Sequence, residues 1–268
     1  MSFTLYTGDC VKVMREHLQD NSIQLTVTSP PYDNLRTYKG FSWDFEATAK
    51  ELFRVTKPGG VVVWVVADAT IDGSETGTSF RQALYFKDCG FNLHDTMIWN
   101  KGGFSAVGAL VTRYAPVFEF MFIFSKGKIT TFNPIKDRKN KYAGDKMHGT
   151  ITSADGTTRP KSNQGKVSPE FGQRFNVWEI SAQRQRGLDR HPAPFPEALA
   201  SAHIISWSNP ADIVFDSFLG SGTTGKMAVL NGREFIGCDI SPDYVALADK
   251  RIKDALAPPT QPTMFSNE

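Results

Sequence analysis

The chain has 268 residues, 40% of them hydrophobic and 22% charged, with 30 Lys and Arg against 28 Asp and Glu for a formal charge of +2. That is ordinary globular usage, enough to bury one large core alone or with an insertion, and the net charge is too small to name a partner. Cys10, Cys89 and Cys238 lie far apart, which argues against a disulfide framework or a metal site. Met1–Tyr6 lacks a signal-peptide pattern and no apolar run reaches the ~20 residues of a bilayer span, so the expected setting is a reducing cytoplasm without membrane contact.

Taken in order, Phe3–Tyr6 reads as a strand and Val11–Leu18 as a helix, with Asp9 between them. Asp9 is either a carboxylate aimed at a ligand from a strand end or a helix N-cap. Ile23–Val27 is a short β-branched run, read as a buried strand, and Thr28-Ser29-Pro30-Pro31-Tyr32 follows it. A polar, aromatic loop continues through Arg36 to Gly40. Ala47–Val55 reads as a helix stopped by Lys57-Pro58-Gly59-Gly60. The apolar run Val61–Val66 is typical of a parallel strand covered on both faces. Asp72–Thr78 reads as a loop, Phe80–Cys89 as a helix, Leu93–Trp99 and Val117–Phe124 as strands. This alternation predicts a parallel α/β sheet. From about Lys126 to Arg190 the apolar periodicity fades and basic residues outnumber acids, among them Lys136, Arg138, Lys139 and Lys141. Such a segment suits a polyphosphate backbone, or is a solvated insertion. After His191–Pro196 come a helix over Glu197–Ser206, a strand over Asp212–Asp216, a glycine-rich turn, a helix over Lys226–Asn231, a strand over Glu234–Ile240, a helix over Tyr244–Ala255 and a polar tail.

Two stretches carry chemistry. In Ser29-Pro30-Pro31-Tyr32 the prolines fix φ and remove donors, so a hydroxyl, a carbonyl and an aromatic ring are held in stiff relation at a strand end. A flat ring bearing an amino group would stack on Tyr32 and donate to Ser29 Oγ and the Pro30 carbonyl. The bland alternative is a strand-ending turn with a packing tyrosine. The second stretch runs strand, glycine turn, helix, strand, acid from Asp216 through Phe218, Gly220, Gly222 and Thr223 to Asp239. An acid at the end of the second strand is placed for the two hydroxyls of a ribose. A rival fits Gly220–Lys226 to a phosphate-cradling P-loop, whose eighth position should be a magnesium-binding Ser or Thr; here it is Met227.

Together the two stretches resemble the S-adenosylmethionine-dependent amino-methyltransferases of DNA. Ser29–Tyr32 resembles the family's catalytic tetrapeptide, Asp216–Thr223 its cofactor loop, and Asp239 its ribose acid. Gly8-Asp9 resembles the acid near the cofactor's adenine, and His191–Pro196, with Phe195, the segment over the methionine end. The catalytic motif preceding the cofactor motif is the circularly permuted order of the beta class. The resemblance implies a Rossmann-like, doubly wound, mostly parallel sheet with an inserted target-recognition region. It divides the chain into a catalytic half at 1–128, a basic insertion at 129–190, a cofactor half at 191–256 and a tail at 257–268. It implies S-adenosylmethionine as cofactor and no metal. The expected partners are double-stranded DNA contacted by Arg36 and the four basic residues above, and a second copy in a homodimer, with or without a cognate nuclease. Ser at position 29 resembles cytosine-N4 enzymes, whereas the wider Thr28–Tyr38 stretch resembles orphan and phage-type enzymes in which adenine N6 is expected; the lean is to adenine. No Pro-Cys dipeptide is present, which argues against the cysteine route to cytosine C5.

Overall fold

The computed structural model describes residues 2–31, 43–103, 112–181 and 196–257. The elements in chain order are β1 (Phe3–Thr7), α1 (Cys10–His17), β2 (Ile23–Thr28), α2 (Phe45–Val55), β3 (Thr56–Val66), β4 (Thr70–Ile71), β5 (Ser74–Glu75), α3 (Thr78–Asp88), β6 (Asn92–Asn100) and β7 (Phe118–Ser125). They continue with β8 (Arg138–Lys139), β9 (Thr150–Thr152), β10 (Thr158–Pro160), β11 (Phe171–Gly172), β12 (Val177–Glu179), α4 (Glu197–Trp207), β13 (Ile213–Asp216), α5 (Thr223–Leu230), β14 (Glu234–Asp239) and α6 (Pro242–Leu256). The chain forms two compact units, Met1–Asn133 with Val177–Glu268, and Pro134–Asn176.

The first unit is built on an eight-stranded sheet in the order β1-β14-β13-β2-β3-β7-β6-β12. Every neighbouring pair is parallel except the two made by β7, which runs antiparallel to both β3 and β6. β3 shows why the sheet is buried on both faces. Val62, Trp64 and Val66 pack into a core with Met14 of α1, Leu52 of α2 and Phe86 of α3. Val61, Val63 and Val65 alternate to the other face and are equally buried, on the side where α4 and α5 contact the sheet. An alternating strand that is apolar at every position has no face left for water.

Four expectations change. α2 ends at Val55 as expected, but Lys57-Pro58-Gly59-Gly60 belongs to the opening of β3, which starts at the Thr56 cap with extended backbone (φ −68°, ψ 132°). The glycines serve an irregular register opposite Ile23–Leu25: Gly59 has φ +82°, and a Cβ on Gly60 would lie 2.9 Å from the Gln24 carbonyl oxygen. Within 72–78 a tight hairpin joins β4 and β5 through Asp72 and Gly73, both at positive φ, as a two-residue turn requires. Helix α5 begins at Thr223, capped by Gly222 in the left-handed region, so the last residues of the glycine turn form its first turn. Val177–Glu179, within the basic segment by sequence, is the eighth strand of the sheet; three residues are too few to show a period, and only Trp178 is buried.

The second unit is one long, irregular β-hairpin. β8 pairs with β11 and β9 with β10, both antiparallel, and Lys146 bridges to Val167 between them. The tip is the turn Ser153–Thr157, closed by the Ser153 and Gly156 N–H groups and by Asp155, whose carboxylate accepts from the Thr157 N–H and hydroxyl.

Candidate active site

The sheet reverses its winding between β2 and β13. From β2 the chain proceeds through α2 to β3 on one side, and from β13 through α5 to β14 on the other. In an open α/β sheet such a switch point leaves a crevice beyond the carboxyl ends of the two strands, where ligands bind. The two chemistry-bearing stretches leave the sheet at these two strand ends.

They are also bonded to each other. The Thr28 hydroxyl, at the last position of β2, donates to Asp216 Oδ1 at the last position of β13 at 2.7 Å. The Phe218 N–H donates to the same oxygen at 3.1 Å, and the Ser217 hydroxyl reaches Thr28 Oγ1 at 3.4 Å. One turn on, the Thr224 hydroxyl donates to the Val27 carbonyl at 3.3 Å. Ser29 follows directly on Thr28 and is half-buried, Pro30 is buried and Pro31 half-buried. The serine and prolines therefore start from an anchored strand end.

Asp216 is 2% exposed, so its carboxyl is the clamp between the two loops rather than a ligand-facing group. Burial pushes its pKa up to about 6 from the ordinary 3.8, against the pull of the Thr28 hydroxyl and the Phe218 N–H. Between those two values the folded chain holds a proton that the unfolded chain has released, so this group lowers stability as pH rises through that window. At about 1.4 kcal/mol per pH unit the loss is about 3 kcal/mol. Asp216→Asn is expected to remove that slope: urea midpoints of the variant and the unsubstituted protein should converge near pH 4, with the variant the more stable at pH 7. Parallel profiles would contradict the clamp's burial.

Asp239 ends β14. Its two carboxylate oxygens accept the Gly220 and Ser241 N–H groups, each at 2.9 Å, and burial raises its pKa. Each carboxylate oxygen has a further lone pair, so the group that shapes the glycine turn keeps acceptor capacity for a diol. Gly222 is glycine for a packing reason: at φ +77° a Cβ would lie 2.6 Å from Ala248 Cβ of α6. Gly220 is at φ +49°. Thr223 is buried at the start of α5. The half-buried Phe218 ring meets Trp43 edge-on at 5.0 Å and Trp64 at 6.3 Å, forming an aromatic wall beside the glycine turn. Of the two readings of Asp9, the structure realises the N-cap: its carboxylate accepts the Lys12 N–H at 3.1 Å. That cap lies beside Asp239, since Gly8 donates to the Asp239 carbonyl at 2.9 Å.

Sequence reasoning missed Arg251 and Trp43. From α6, Arg251 donates to the Ser221 carbonyl at 2.6 Å, to Ser221 Oγ at 3.0 Å and to Glu197 at 3.1 Å. It thereby ties the glycine turn to the first turn of α4, and Lys226 joins the same Glu197 carboxylate at 2.7 Å. Lys226 is the lysine a P-loop would aim at phosphates; its ammonium is held by Glu197 instead. Nothing in the spacing of α6 marks Arg251, because its role depends on how three helices meet. Glu119 of β7 forms an ion pair with Lys101 at 2.7 Å. Tyr32, Arg36, Phe195 and residues 258–268 of the tail lie outside the described residues. Lys136, Arg138, Lys139 and Lys141 belong to the hairpin unit. There Arg138 is engaged locally, its guanidinium donating to the Gln173 carbonyl at 3.0 Å and lying 4.5 Å over the Phe175 ring. No helix among the described residues is long and apolar enough to cross a membrane.

Comparison with known proteins shows the family and the fold. The family profile N6_N4_Mtase, described as DNA methylase, matches residues 23–250. The orphan methyltransferase M.BamHII of Bacillus amyloliquefaciens is 55% identical over 90% of this chain and 92% of its own. The DNA adenine methyltransferase YhdJ of Escherichia coli K12 is 26% identical over 93% of this chain and 82% of its own. The fold superposes on the cytosine-N4-specific PvuII DNA methyltransferase with a TM-score of 0.68 at 22% identity, covering 95% of this chain and 91% of that one. The chain belongs to the N6/N4 DNA methylase family.

Proposed function

We propose that this chain transfers a methyl group from S-adenosylmethionine to the exocyclic amine of a base flipped out of duplex DNA, with adenine N6 as the target. The observation that carries the reading is the 2.7 Å bond from Thr28 to Asp216, which sets the Ser29-Pro30-Pro31 corner and the glycine turn side by side at the switch point. The residues fit the cofactor. Asp239 keeps acceptor capacity for the ribose hydroxyls, Phe218 and Trp43 offer an aromatic wall to the adenine, and Asp9 stands beside the same strand end. When bound, S-adenosylmethionine supplies an electrophilic sulfonium methyl.

An exocyclic amine is a weak nucleophile because its lone pair is delocalised into the ring. Ser29 Oγ and the Pro30 carbonyl accept hydrogen bonds from its two N–H groups, which favours a pyramidal nitrogen with the pair freed; once that nitrogen has bonded the methyl, one of the two protons passes to solvent. Tyr32 stacks on the extruded base and offsets part of the few kcal/mol that unpairing costs. Holding the amine in line with the methyl supplies most of the acceleration, and no covalent enzyme intermediate is needed.

Adenine is favoured by the resemblance of Thr28–Tyr38 to orphan enzymes, and a relative at 55% identity is named an orphan methyltransferase. Ser29 resembles the cytosine-N4 enzymes, which makes cytosine N4 the second reading; Ser and Asp each need only accept one hydrogen bond, so that contact does not separate the two bases. The orphan relative supports action without a partner nuclease. A homodimer in the cytoplasm completes the reading, since a short chain does not grip both halves of a palindrome alone. Genomic DNA from cells expressing the chain, sequenced with modified-base detection, should show one short motif carrying N6-methyladenine. N4-methylcytosine at the motif selects the second reading, and unmodified DNA refutes both.

A further inference from the structure

The hairpin unit Pro134–Asn176 has nine Lys and Arg against four Asp and Glu, a balance of +5, while the rest of the chain, with 21 against 24, carries −3. None of its residues is buried, and Tyr142, Val167 and Phe175 are each at least 60% exposed. A two-stranded ribbon is marginal in water without a partner, and a ribbon of this width enters a DNA major groove.

Its middle is built unlike its ends. Arg138 opposite Gly172 and Thr150 opposite Pro160 share one register, but Lys146 lies opposite Val167, three residues out of it. The shift comes from two compensating bulges. One strand turns at Tyr142–Asp145, where Asp145 N–H donates to the Tyr142 carbonyl at 3.2 Å and Gly144 has φ +89°. The other turns at Lys161–Lys166, where Gln164 donates to the Lys161 carbonyl at 2.9 Å and Gly165 has φ +80°. Between the bulges lies a cleft of about 330 Å³ lined by Tyr142, Asp145, Lys146, His148, Lys161 and Asn163.

We propose that this cleft is a phosphodiester site that seats the ribbon on the DNA backbone, a role that rests on the duplex-DNA substrate proposed above. Apart from Met147, whose sulfur accepts from the Asn163 amide at 3.1 Å, the lining is rich in donors. It offers two ammonium groups, a phenol, an imidazole N–H and a carboxamide against one carboxylate, and neither Lys146 nor Lys161 forms an ion pair with any described residue. The two lysines sit on opposite strands, so only the double bulge brings them to one cleft. Arg138 and Arg174, two of the other seven basic residues of the unit, are already engaged within it, by Gln173 and Phe175 and by Asp137. Backbone phosphates fix register and orientation without carrying sequence, so this site positions the ribbon while other residues read bases.

The test is the salt dependence of binding to a short fluorescein-labelled duplex. For Lys146→Gln/Lys161→Gln, the slope of log K against log salt should flatten by about 0.9, the contribution of the one phosphate the cleft holds. Between 50 and 200 mM salt the unsubstituted protein then loses about 3.5-fold more affinity than the variant. The loss should be equal on duplexes of unrelated sequence, and the S-adenosylmethionine Kd from calorimetry should not move. Asp145→Asn removes the one repulsive group and should tighten binding several-fold, a gain that a misfolded hairpin would not produce. An unmoved slope, a loss confined to one sequence, or weaker binding by Asp145→Asn overturns the site. Failure of the unsubstituted protein to bind duplex DNA at any of these salts, with its cofactor affinity intact, overturns instead the substrate on which the site rests.

Discussion

Asp239→Ala should weaken S-adenosylmethionine binding by about two orders of magnitude, measured by calorimetry. Hydrogen bonds to a charged acceptor contribute about 1.5–3 kcal/mol each, and a ribose would place two hydroxyls on this one carboxylate. The loss also includes the Gly220 and Ser241 N–H groups, which the same oxygens hold at 2.9 Å and which alanine leaves unpaired. Asp239→Asn separates these parts. It keeps one acceptor oxygen for the glycine turn and sets an amide donor against the other N–H, so its affinity should fall between the two. Turnover at saturating cofactor should change little in Asp239→Asn, because the proposed role places the group at the ribose and not at the transferred methyl. An unaltered dissociation constant in the alanine variant would refute the ribose role.

Tyr32→Ala should cut kcat/KM for DNA by about 10- to 100-fold, since stacking a base on an aromatic ring is worth about 1–3 kcal/mol. Cofactor affinity should stay within twofold of the unsubstituted protein. Tyr32→Phe keeps the ring and should keep most of the turnover, which assigns the effect to the stack and not to the phenol. The assay is transfer of a labelled methyl group to duplex DNA under single-turnover conditions. Normal transfer by Tyr32→Ala would remove the flipped-base stack from the mechanism.

Much of this site can be read from the chain because its parts are short and local. Ser29–Tyr32 follows directly on a β-branched strand, and Asp216–Asp239 carries its strand, turn, helix, strand order within one stretch. Local signals have limits at Lys57–Gly60, where Pro-Gly-Gly marks a helix end and an irregular strand start alike; the choice is made by the pairing with β2, which is remote in sequence. Gly222 reads as room for a ligand, yet its neighbour is Ala248 of α6. The Thr28–Asp216 bond spans 188 residues and the Arg251–Ser221 bond depends on the meeting of α4, α5 and α6. Neither leaves a trace in periodicity or spacing. The reversed direction of β7 and the paired bulges of the hairpin are likewise properties of register, which a run of residue types does not encode.

At the β2–β13 switch point a methyl group is proposed to pass directly onto a nucleobase amine. Duplex DNA incubated with the protein and methyl-labelled S-adenosylmethionine, then digested to nucleosides and resolved by mass spectrometry, tests it most directly. The label should appear in N6-methyladenine, and a Ser29→Ala variant should place far less of it there. Label in 5-methylcytosine, or none in any amino-methylated nucleoside, would contradict it.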